Sequence, residues 1–208
     1  MPSRLLVLVS GEGTLLQQLI DACATGVIDA TVVAVGADRE GTKAVGRAQA
    51  AGIPTFVCRL GDHHDRADWD KALTYSCAQY QPDLIVAAGF LKLFGPVFLD
   101  EFGGRCINSH PALLPAFPGM HGIRDALAYG VKVTGCTVFM VDAGLDSGPV
   151  IAQAAVPVRD GDDEESLTER VKRAERVLLT ETVAAMVSRG WSVHGRTVHI
   201  GSTPGMRP

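Results

Sequence analysis

The chain has 208 residues, of which 47% are hydrophobic and 20% are charged, so it holds ample apolar material for a folded core and general disorder is excluded. This length fits a single domain that spans residues 1–208. The formal net charge of −4 provides no overall positive field for a phosphate backbone, so a nucleic-acid partner is not expected.

The N-terminal residues and the cysteines predict a cytoplasmic protein. The apolar run Leu5–Val9 is too short for a signal sequence or a membrane span, so no membrane association is expected. The 5 cysteines are odd in number and include no Cys-x-x-Cys pair. This pattern favours neither a disulfide framework nor a zinc site, and it fits a reducing compartment.

The first half of the chain alternates between strand and helix patterns. Strands are predicted at Arg4–Ser10, Thr31–Val35, Thr55–Cys58 and Asp83–Ala88. Helices are predicted at Leu15–Ala24, Thr42–Ala51 and Asp65–Tyr80. The nearly continuous apolar character of the fourth strand is typical of a strand that is buried on both faces of a parallel sheet.

The second half continues this alternation. Further strands are predicted at Arg105–His110, Val133–Val141 and Val150–Val158, and further helices at Ile123–Tyr129 and Ser166–Ser188. The long last helix is predicted to begin with a capping box that Ser166 and Glu169 form. Its buried stripe is predicted to include Leu167, Val171, Ala174, Leu178 and Ala185. The alternating residues Trp191–Ile200 around Gly195 predict a hairpin.

Successive strand–helix units predict an α/β fold of Rossmann-like type. We expect a mostly parallel twisted sheet with helices on both faces, followed by the long helix and the hairpin. Ligands of such sheets bind outside the carboxyl ends of the strands, where the strand order reverses. The loops that follow the strands are therefore the expected places for chemistry.

The segment Ser10–Thr14 joins the first strand to the first helix and contains two glycines. Free N–H groups at a helix start favour an anion such as a phosphate ester. A dinucleotide fingerprint needs a third glycine where Leu16 stands, which argues against Asp38 as a ribose-binding acid. Two interpretations stay open, a plain tight turn and a site for a small phosphorylated substrate.

Asn108 and His110 lie two residues apart on a predicted strand, so their side chains point to the same face. The strand ends at His110 because Pro111 cannot donate to the ladder. An amide donor beside an imidazole suits acyl transfer, since the amide stabilises a developing oxyanion and the imidazole moves a proton near neutral pH. A purely structural histidine is the alternative.

The segment Asp142–Pro149 is a glycine-containing loop with two acids between two strands. The carboxylates of Asp142 and Asp146 either bind the loop's own backbone or reach the imidazole of His110. A carboxylate beside that ring would fix its tautomer and stabilise its cationic form.

Two other chemistries are not supported. No Gly-x-Ser-x-Gly elbow is present, so no serine nucleophile is indicated. The segment Asp62–Asp65 contains two adjacent histidines, but adjacent side chains point apart on regular structure. No metal site is therefore predicted.

Two stretches carry a resemblance to a known family. Asn108-Ser-His110-Pro-Ala-Leu-Leu-Pro115, followed by Leu145-Asp146-Ser-Gly148-Pro-Val, resembles the folate-dependent formyltransferases. With Ser-Gly-Glu-Gly-Thr near the N-terminus and this length, nearly the whole chain is similar to the members that act on phosphoribosylglycinamide (GAR). The resemblance implies formyl transfer from the co-substrate 10-formyltetrahydrofolate to the amine of GAR in purine synthesis, without a metal.

The resemblance also implies roles for individual residues. The catalytic residues would be Asn108, His110 and Asp146. GAR would contact Gly13, Thr14 and Leu15 through its phosphate and Glu175 through a sugar hydroxyl. The folate would contact Arg66, Leu91, Lys92, Leu93, Phe94, Asn108, Asp142, Ala143, Gly144, Leu145 and Asp146. Residues 1–100 would then form a phosphate-binding half, and residues 101–208 a catalytic and folate-binding half.

Three positions depart from the expected pattern or stay open. Leu15 stands where the family often has Asn, so only its backbone N–H can serve a phosphate. Lys92 stands where Arg is common, which weakens a bidentate contact to a charged ligand. Glu175 lies in a charged stretch of helix, and a solvated surface residue is the alternative to a hydroxyl acceptor.

The expected mechanism is direct attack of the neutral amine on the formyl carbon, with no covalent enzyme intermediate. Asn108 and His110 would donate to the oxyanion, and Asp146 would assist proton transfer through water. The alternatives are a methionyl-tRNA formyltransferase, which would carry a further C-terminal RNA-binding domain, a formyltetrahydrofolate hydrolase, and a non-catalytic module that binds a phosphorylated metabolite. Small molecules are the expected partners, and a monomer or homodimer the expected state.

Overall fold

A seven-stranded sheet forms the centre of the structure, a computed structural model that describes residues 1–201. In chain order the strands are β1 (Ser3–Val9), β2 (Ala30–Ala37), β3 (Thr55–Val57), β4 (Leu84–Ala87), β5 (Cys106–His110), β6 (Val133–Met140) and β7 (Val150–Pro157). Across the sheet their order is β3-β2-β1-β4-β5-β6-β7. Strands β1 to β5 are parallel, whereas β6 pairs antiparallel with β5 and with β7. The prediction of a mostly parallel sheet is confirmed.

Helices follow most of the strands, as predicted. They are α1 (Thr14–Ala24), α2 (Lys43–Ala50), α3 (Arg66–Ala78), α4 (Pro96–Phe102), α5 (Gly122–Tyr129) and α6 (Glu164–Arg189). None of the helices in residues 1–201 is long and apolar enough to cross a bilayer. Residues 202–208 of the predicted domain lie outside the described part of the chain.

Strand β1 shows why the sheet carries helices on both faces. Leu5 and Val7 pack in a cluster with residues of α1, α2 and α6. Leu6 and Leu8, which alternate with them, pack on the other face with Trp69 of α3 and residues of α4. All four side chains are fully buried, because a central parallel strand is covered on both sides.

The start of α6 differs from the prediction by about half a turn. The helix begins at Glu164, and its N-cap is Asp163, whose carboxylate accepts the Ser166 N–H at 2.8 Å. The Ser166 hydroxyl accepts the Asp163 N–H at 3.1 Å, which closes the capping box. The predicted box of Ser166 and Glu169 is therefore wrong. Ser166 completes a box that an aspartate opens, and aspartate is as good an N-cap residue as serine.

The buried stripe of α6 is also offset from the predicted one. Its fully buried apolar members are Leu167, Val171, Leu179, Val183 and Met186, whereas Ala174, Leu178 and Ala185 are only partly buried. The spacing of four residues places one charged side chain, Glu175, on the same buried line.

Helix α4 and a 3-10 turn at Leu60–Asp62 were not predicted. Pro96 occupies the first turn of α4, where its fixed φ and missing N–H suit a helix start. The helix has 7 residues, too few to show a clear period, and it is held by the buried rings of Phe98 and Phe102.

The C-terminal hairpin is confirmed and is attached to the main core. Strands β8 (Trp191–His194) and β9 (Thr197–Ile200) pair antiparallel around the turn of Gly195 and Arg196. Gly195 has a φ of 60°, which suits the first central position of a two-residue hairpin turn. Trp191, Val198 and Ile200 pack against the α1–α6 face of the core.

Candidate active site

A cavity of about 570 Å³ lies at the carboxyl ends of β1, β4 and β5. The chain crosses over between the neighbouring strands β1 and β4, so the cavity sits where the strand order reverses. Its wall contains residues 11–15 after β1, residues 88–93 after β4 and residues 108–111 at the end of β5. The remaining wall residues are Gly119, Met120, Ile123, Leu145, Asp146, Lys172 and Glu175.

The loop after β1 presents backbone rather than side chains. Gly13 has a φ of 70°, and a Cβ atom on it would lie 2.6 Å from the Cβ of Ala44, so a side chain does not fit here. Gly13 is the N-cap of α1, and no side chain in the described residues caps that helix start. The first N–H groups of α1 therefore face the cavity with the partial positive charge of the helix dipole. The side chain of Leu15 is 8% exposed and belongs to the core, which leaves its N–H for a ligand.

Successive side chains of β5 make different contacts, some at the cavity and one with helix α6. The Oδ1 atom of Asn108 accepts the Ser109 N–H at 2.8 Å, so the amide NH2 is the group left to donate into the cavity. Ser109 alternates with it and donates its hydroxyl to Glu175 of α6 at 2.6 Å. His110 follows on the same face as Asn108, as predicted, and its side chain is only 6% exposed.

His110 lies between two oxygen acceptors. Its Nε2 atom is 2.8 Å from the carbonyl oxygen of Phe117, and its Nδ1 atom is 3.4 Å from Oδ2 of Asp146. The Nε2 side is closed by protein, because a Cβ on Gly122 would lie 3.2 Å from it. A neutral ring has one N–H group and can donate to only one of these two oxygens. The longer contact is the one from Nδ1 to Asp146, a residue that also lines the cavity.

The loop between β6 and β7 must travel back to reach His110. Met140, the last residue of β6, pairs with Ile107, whereas His110 pairs with Thr137. The loop therefore returns past three residues of β5, roughly 10 Å. Within this loop, Asp146 has a left-handed φ of 50°, and its Oδ2 atom accepts the Gly119 N–H at 2.7 Å.

The two acids of this loop serve different ends. Asp142 closes the loop on itself, since its Oδ1 atom accepts the Gly144 N–H at 3.0 Å and the Ser147 hydroxyl at 2.7 Å. Asp146 instead faces the imidazole of His110. Both interpretations of the carboxylates hold, each for one residue.

Glu175 is a buried carboxylate at the cavity wall. It is 6% exposed, so the alternative of a solvated surface residue is wrong. Burial raises the pKa of the Glu175 carboxyl above its usual range, although the Ser109 hydroxyl and the nearby charges of His110 and Lys172 oppose the rise. One oxygen holds Ser109, and the carboxylate retains capacity for a second donor.

Lys92 is partly neutralised by a carboxylate that sequence analysis did not assign to the site. Its Nζ atom lies 3.4 Å from Oδ2 of Asp38, whose side chain is 1% exposed. Burial alone would raise the pKa of Asp38, but hydrogen bonds from Arg39 and Ser10 and the charges of Arg39 and Lys92 outweigh it, so this pKa is lowered. The Ser10 hydroxyl also accepts the Leu91 N–H at 2.9 Å and thereby joins the ends of β1 and β4.

Several predicted folate residues are not among the residues that line the cavity. Phe94 stacks between Phe90 and Phe98, with ring centroids 5.4 Å and 4.2 Å away. Arg66 lies over the ring of Trp69 and donates to the carbonyl of Leu93. Asp142, Ala143 and Gly144 are likewise outside the wall, whereas Leu91, Lys92, Leu93, Leu145 and Asp146 are part of it.

Sequence reasoning missed other wall residues. Lys172 stands three residues before Glu175 on the same side of α6, a spacing that could have found it. Met120 belongs to the Pro/Gly-rich segment after β5, which carried no periodic signal, and Ile123 lies in the first turn of α5. Together with Leu91, Leu93 and Leu145, they make this part of the wall apolar. The cavity can thus hold an anion at α1 and a flat apolar group farther along, with polar donors between them.

One possible metal cluster lies outside the cavity. Ligand atoms of His64, Asp65 and Asp68 are within 4.8 Å of one another, and all three residues are exposed. Asp65 already caps α3 through the Asp68 N–H, and Asp68 pairs with Lys71 at 3.2 Å. These contacts account for the cluster without an ion.

The sequence matches a known family and named proteins within it. Residues 3–183 match the family model described as formyl transferase. The chain is 57% identical over 200 residues to a phosphoribosylglycinamide formyltransferase of Mycobacterium tuberculosis (strain CDC 1551 / Oshkosh), which covers 96% of this chain and 92% of that protein. It is 38% identical over 192 residues to the Escherichia coli (strain K12) phosphoribosylglycinamide formyltransferase, with 92% and 88% covered.

The fold is also similar to solved structures. The crystal structure of glycinamide ribonucleotide transformylase 1 from Symbiobacterium toebii superposes with a TM-score of 0.93 at 40% identity, covering 96% of this chain and 94% of that chain.

Proposed function

The chain belongs to the formyl transferase family, and we infer that it transfers the formyl group of 10-formyltetrahydrofolate to the amine of GAR. The products are formylglycinamide ribonucleotide and tetrahydrofolate, in de novo purine biosynthesis. The observation that carries this function in the structure is a convergence of residues. Asn108, His110 and Asp146 meet in one cavity that also contains the start of α1.

We propose that GAR binds across the β1 end of the cavity. Its phosphate would accept hydrogen bonds from the backbone N–H groups of Gly13, Thr14 and Leu15, where the dipole of α1 favours negative charge. Glu175 would accept a sugar hydroxyl with the capacity that Ser109 leaves free. Lys172 places a positive charge on the same wall, which suits a substrate that carries a phosphate.

The folate would occupy the apolar end. Leu91 and Leu93 are 53% and 47% exposed, and Leu145 is 55% exposed, so these side chains present apolar surface to a ring system. Lys92 would contribute mainly through its backbone, because its ammonium group already pairs with Asp38. Arg66, Phe94, Asp142, Ala143 and Gly144 stay proposed folate contacts at the edge of the cavity. Arg66 would also support the first stretch through the Leu93 carbonyl, and Asp142 the second through the Gly144 N–H.

His110 and Asn108 would stabilise the tetrahedral intermediate. The neutral amine of GAR attacks the formyl carbon, and the carbonyl oxygen becomes an oxyanion. The amide NH2 of Asn108 and the Nδ1–H of His110 would donate to it, while Nε2–H remains on the Phe117 carbonyl. A protonated ring would add a positive charge beside the oxyanion, and the Asp146 carboxylate lies next to the same ring.

Proton transfer completes the reaction. The attacking nitrogen becomes positively charged and loses a proton, and N10 of the folate must gain one before the C–N10 bond breaks. Asp146 lies beside the ring and at the cavity wall, so it can accept the first proton through water and return it to N10. No bond between enzyme and formyl group is required.

Product release tests the proposed function. The purified protein is incubated with GAR and 10-formyltetrahydrofolate, and absorbance follows the release of tetrahydrofolate. We expect release that depends on GAR. Release with water alone would assign a hydrolase, formyl transfer to charged methionyl-tRNA would assign the tRNA enzyme, and no release under any condition would leave only a metabolite-binding module.

We further propose that the partners are these small molecules, that the protein is cytoplasmic and that it is a monomer or homodimer. The net charge of −4 disfavours binding to tRNA. A cavity of about 570 Å³ is of the size that small-molecule sites usually have. Light scattering at two protein concentrations distinguishes monomer from dimer.

A further inference from the structure

The C-terminal hairpin contacts the loop that carries Asp146. The guanidinium of Arg196, at the hairpin turn, donates from Nη2 to the carbonyl oxygens of Ser147 at 2.8 Å and of Gly148 at 3.3 Å. These carbonyls belong to the two residues that directly follow Asp146. The contact spans 48 or more positions of the sequence and brings a charged donor to neutral acceptors.

The Asp146 loop needs such support. It returns from the end of β6 to His110, and Asp146 adopts a left-handed φ of 50° that residues with side chains rarely take. Within the described residues, the side-chain hydrogen bonds that tie this loop to other segments are the one from Gly119 N–H to the Asp146 carboxylate and those of Arg196.

The hairpin is itself a firm support. The indole N–H of Trp191 donates to the carbonyl of Gly104, just before β5, at 2.7 Å. Trp191, Val198 and Ile200 pack on the main core. Arg196 lies in a two-residue turn whose flanking residues, His194 and Thr197, are paired, so its backbone is held on both sides.

We propose that Arg196 is a positioning residue for formyl transfer, which holds the Asp146 loop in the conformation that places the carboxylate beside His110. This inference rests on the proposed function of the same cavity. Arg196 does not line the cavity, so it acts through the loop rather than on substrate. A shift of about 1 Å in a catalytic group can cost roughly a hundredfold in rate.

Steady-state kinetics of Arg196→Ala measure the effect. We expect kcat to fall by about tenfold to a hundredfold. KM for GAR should change little, because the hydrogen bonds of Arg196 go to the Asp146 loop and not to the loop after β1. Arg196→Lys, which keeps a charged donor, should recover part of the loss. Thr197→Ala, an exposed position next to Arg196 at the start of β9, serves as a matched control and should keep the parent rate.

A double-mutant cycle separates positioning from general destabilisation. If Arg196 acts through Asp146, then Arg196→Ala should cost almost nothing further when Asp146 is already Asn. The pH profile of kcat should change in Arg196→Ala in the same direction as in Asp146→Asn. An equal, multiplicative loss in both backgrounds would overturn the positioning role, because it would show that Arg196 acts elsewhere.

Two further results would separate the failures. If Arg196→Ala keeps the parent kcat while the parent releases tetrahydrofolate with GAR, the positioning role is wrong and the proposed function stands. If the parent itself shows no GAR-dependent release, the proposed function fails first. Should Arg196→Ala fold poorly, Arg196→Lys and Arg196→Gln carry the same comparison, with circular dichroism to confirm the fold, and a parent-like kcat in Arg196→Gln overturns the inference.

Discussion

The two ends of the cavity are built by different means. The end at β1 uses backbone N–H groups of a helix start, fixed by a tight glycine turn between two elements that are adjacent in the chain. The end at β5 uses side chains whose positions depend on distant segments. The position of the His110 ring depends on its contacts with Phe117 and Asp146, and the position of the Asp146 carboxylate depends on Gly119.

This difference follows from the direction of the strands. At the β1 end, each parallel strand delivers its loop directly to the edge where ligands bind. At the other end β6 is antiparallel, so its following loop starts away from His110 and must be brought back. The proposed phosphate site is thus built from neighbouring residues of the chain, whereas the proposed proton-transfer site is assembled from separate loops. Substitutions at the two ends should therefore affect different kinetic constants.

The largest effect is expected at the assembled end. His110→Ala removes the proposed oxyanion donor, and Asp146→Asn removes the proposed proton acceptor, so each should lower kcat by at least about a hundredfold. The thermal midpoint should change little and KM for GAR should stay near the parent value. Steady-state assays with both substrates check this, with His64→Ala, an exposed histidine, as the control. Near-parent turnover by His110→Ala would falsify the catalytic assignment.

At the local end, Gly13→Ala should instead act on KM. The added Cβ would meet Ala44 at 2.6 Å and force a left-handed φ on an L-residue, so the loop must move. Charged hydrogen bonds are worth about 1.5–3 kcal/mol each, and losing one raises KM for GAR by about tenfold to a hundredfold.

The matched control for this substitution is Gly46→Ala in α2, where a Cβ meets nothing within 4 Å. A lower kcat with an unchanged KM for GAR in Gly13→Ala would contradict the proposed difference between the two ends. Inorganic phosphate tested as a competitive inhibitor gives a second measurement, since its inhibition constant should rise in parallel with KM.

The same contrast explains which parts of the structure could be predicted from the sequence. The alternation of strands and helices predicted the sheet and its layers, because each unit buries its own apolar face, as Leu5 and Leu6 do on opposite sides of β1. The tight turn before α1 could be predicted for the same reason, since Gly13 and α1 are neighbours in the chain, whereas its binding of a phosphate stays a prediction. The meeting of His110 with Asp146 came only as one of two interpretations, and the resemblance to a family raised it above the other.

What could not be predicted depends on contacts between distant segments. Nothing near Lys92 in the sequence indicates that Asp38 binds it, and nothing near Asp146 indicates Arg196. Glu175 is a different case. It lies on the same four-residue spacing as the buried Val171 and Leu179, so the pattern of α6 already contained the signal that this carboxylate is not solvated.

Glu175→Gln should give the smallest effect and sharpen the comparison, because Glu175 binds Ser109 of β5 and is also the proposed acceptor of a GAR hydroxyl. Burial raises the pKa of the Glu175 carboxyl, so its protonated form is favoured more in the folded than in the unfolded chain. That contribution to stability is fully present below the unfolded pKa and is lost as the pH rises through the folded one. At pH 7, which lies above the unfolded pKa, burial of Glu175 therefore costs free energy, and the neutral glutamine avoids this cost while it still accepts the Ser109 hydroxyl.

The variant should melt above the parent at pH 7, by about 2–4 °C for each kcal/mol of relief, and the difference should vanish below about pH 4, where the parent carboxyl is also protonated. KM for GAR should rise only a few-fold, because an oxygen acceptor remains for the sugar hydroxyl. Glu181→Gln, an exposed position of the same helix, is the control for both measurements. A lower melting temperature than the parent at pH 7 would show that the charge of Glu175 supports the fold, through His110 and Lys172, instead of being tolerated for the sake of the substrate.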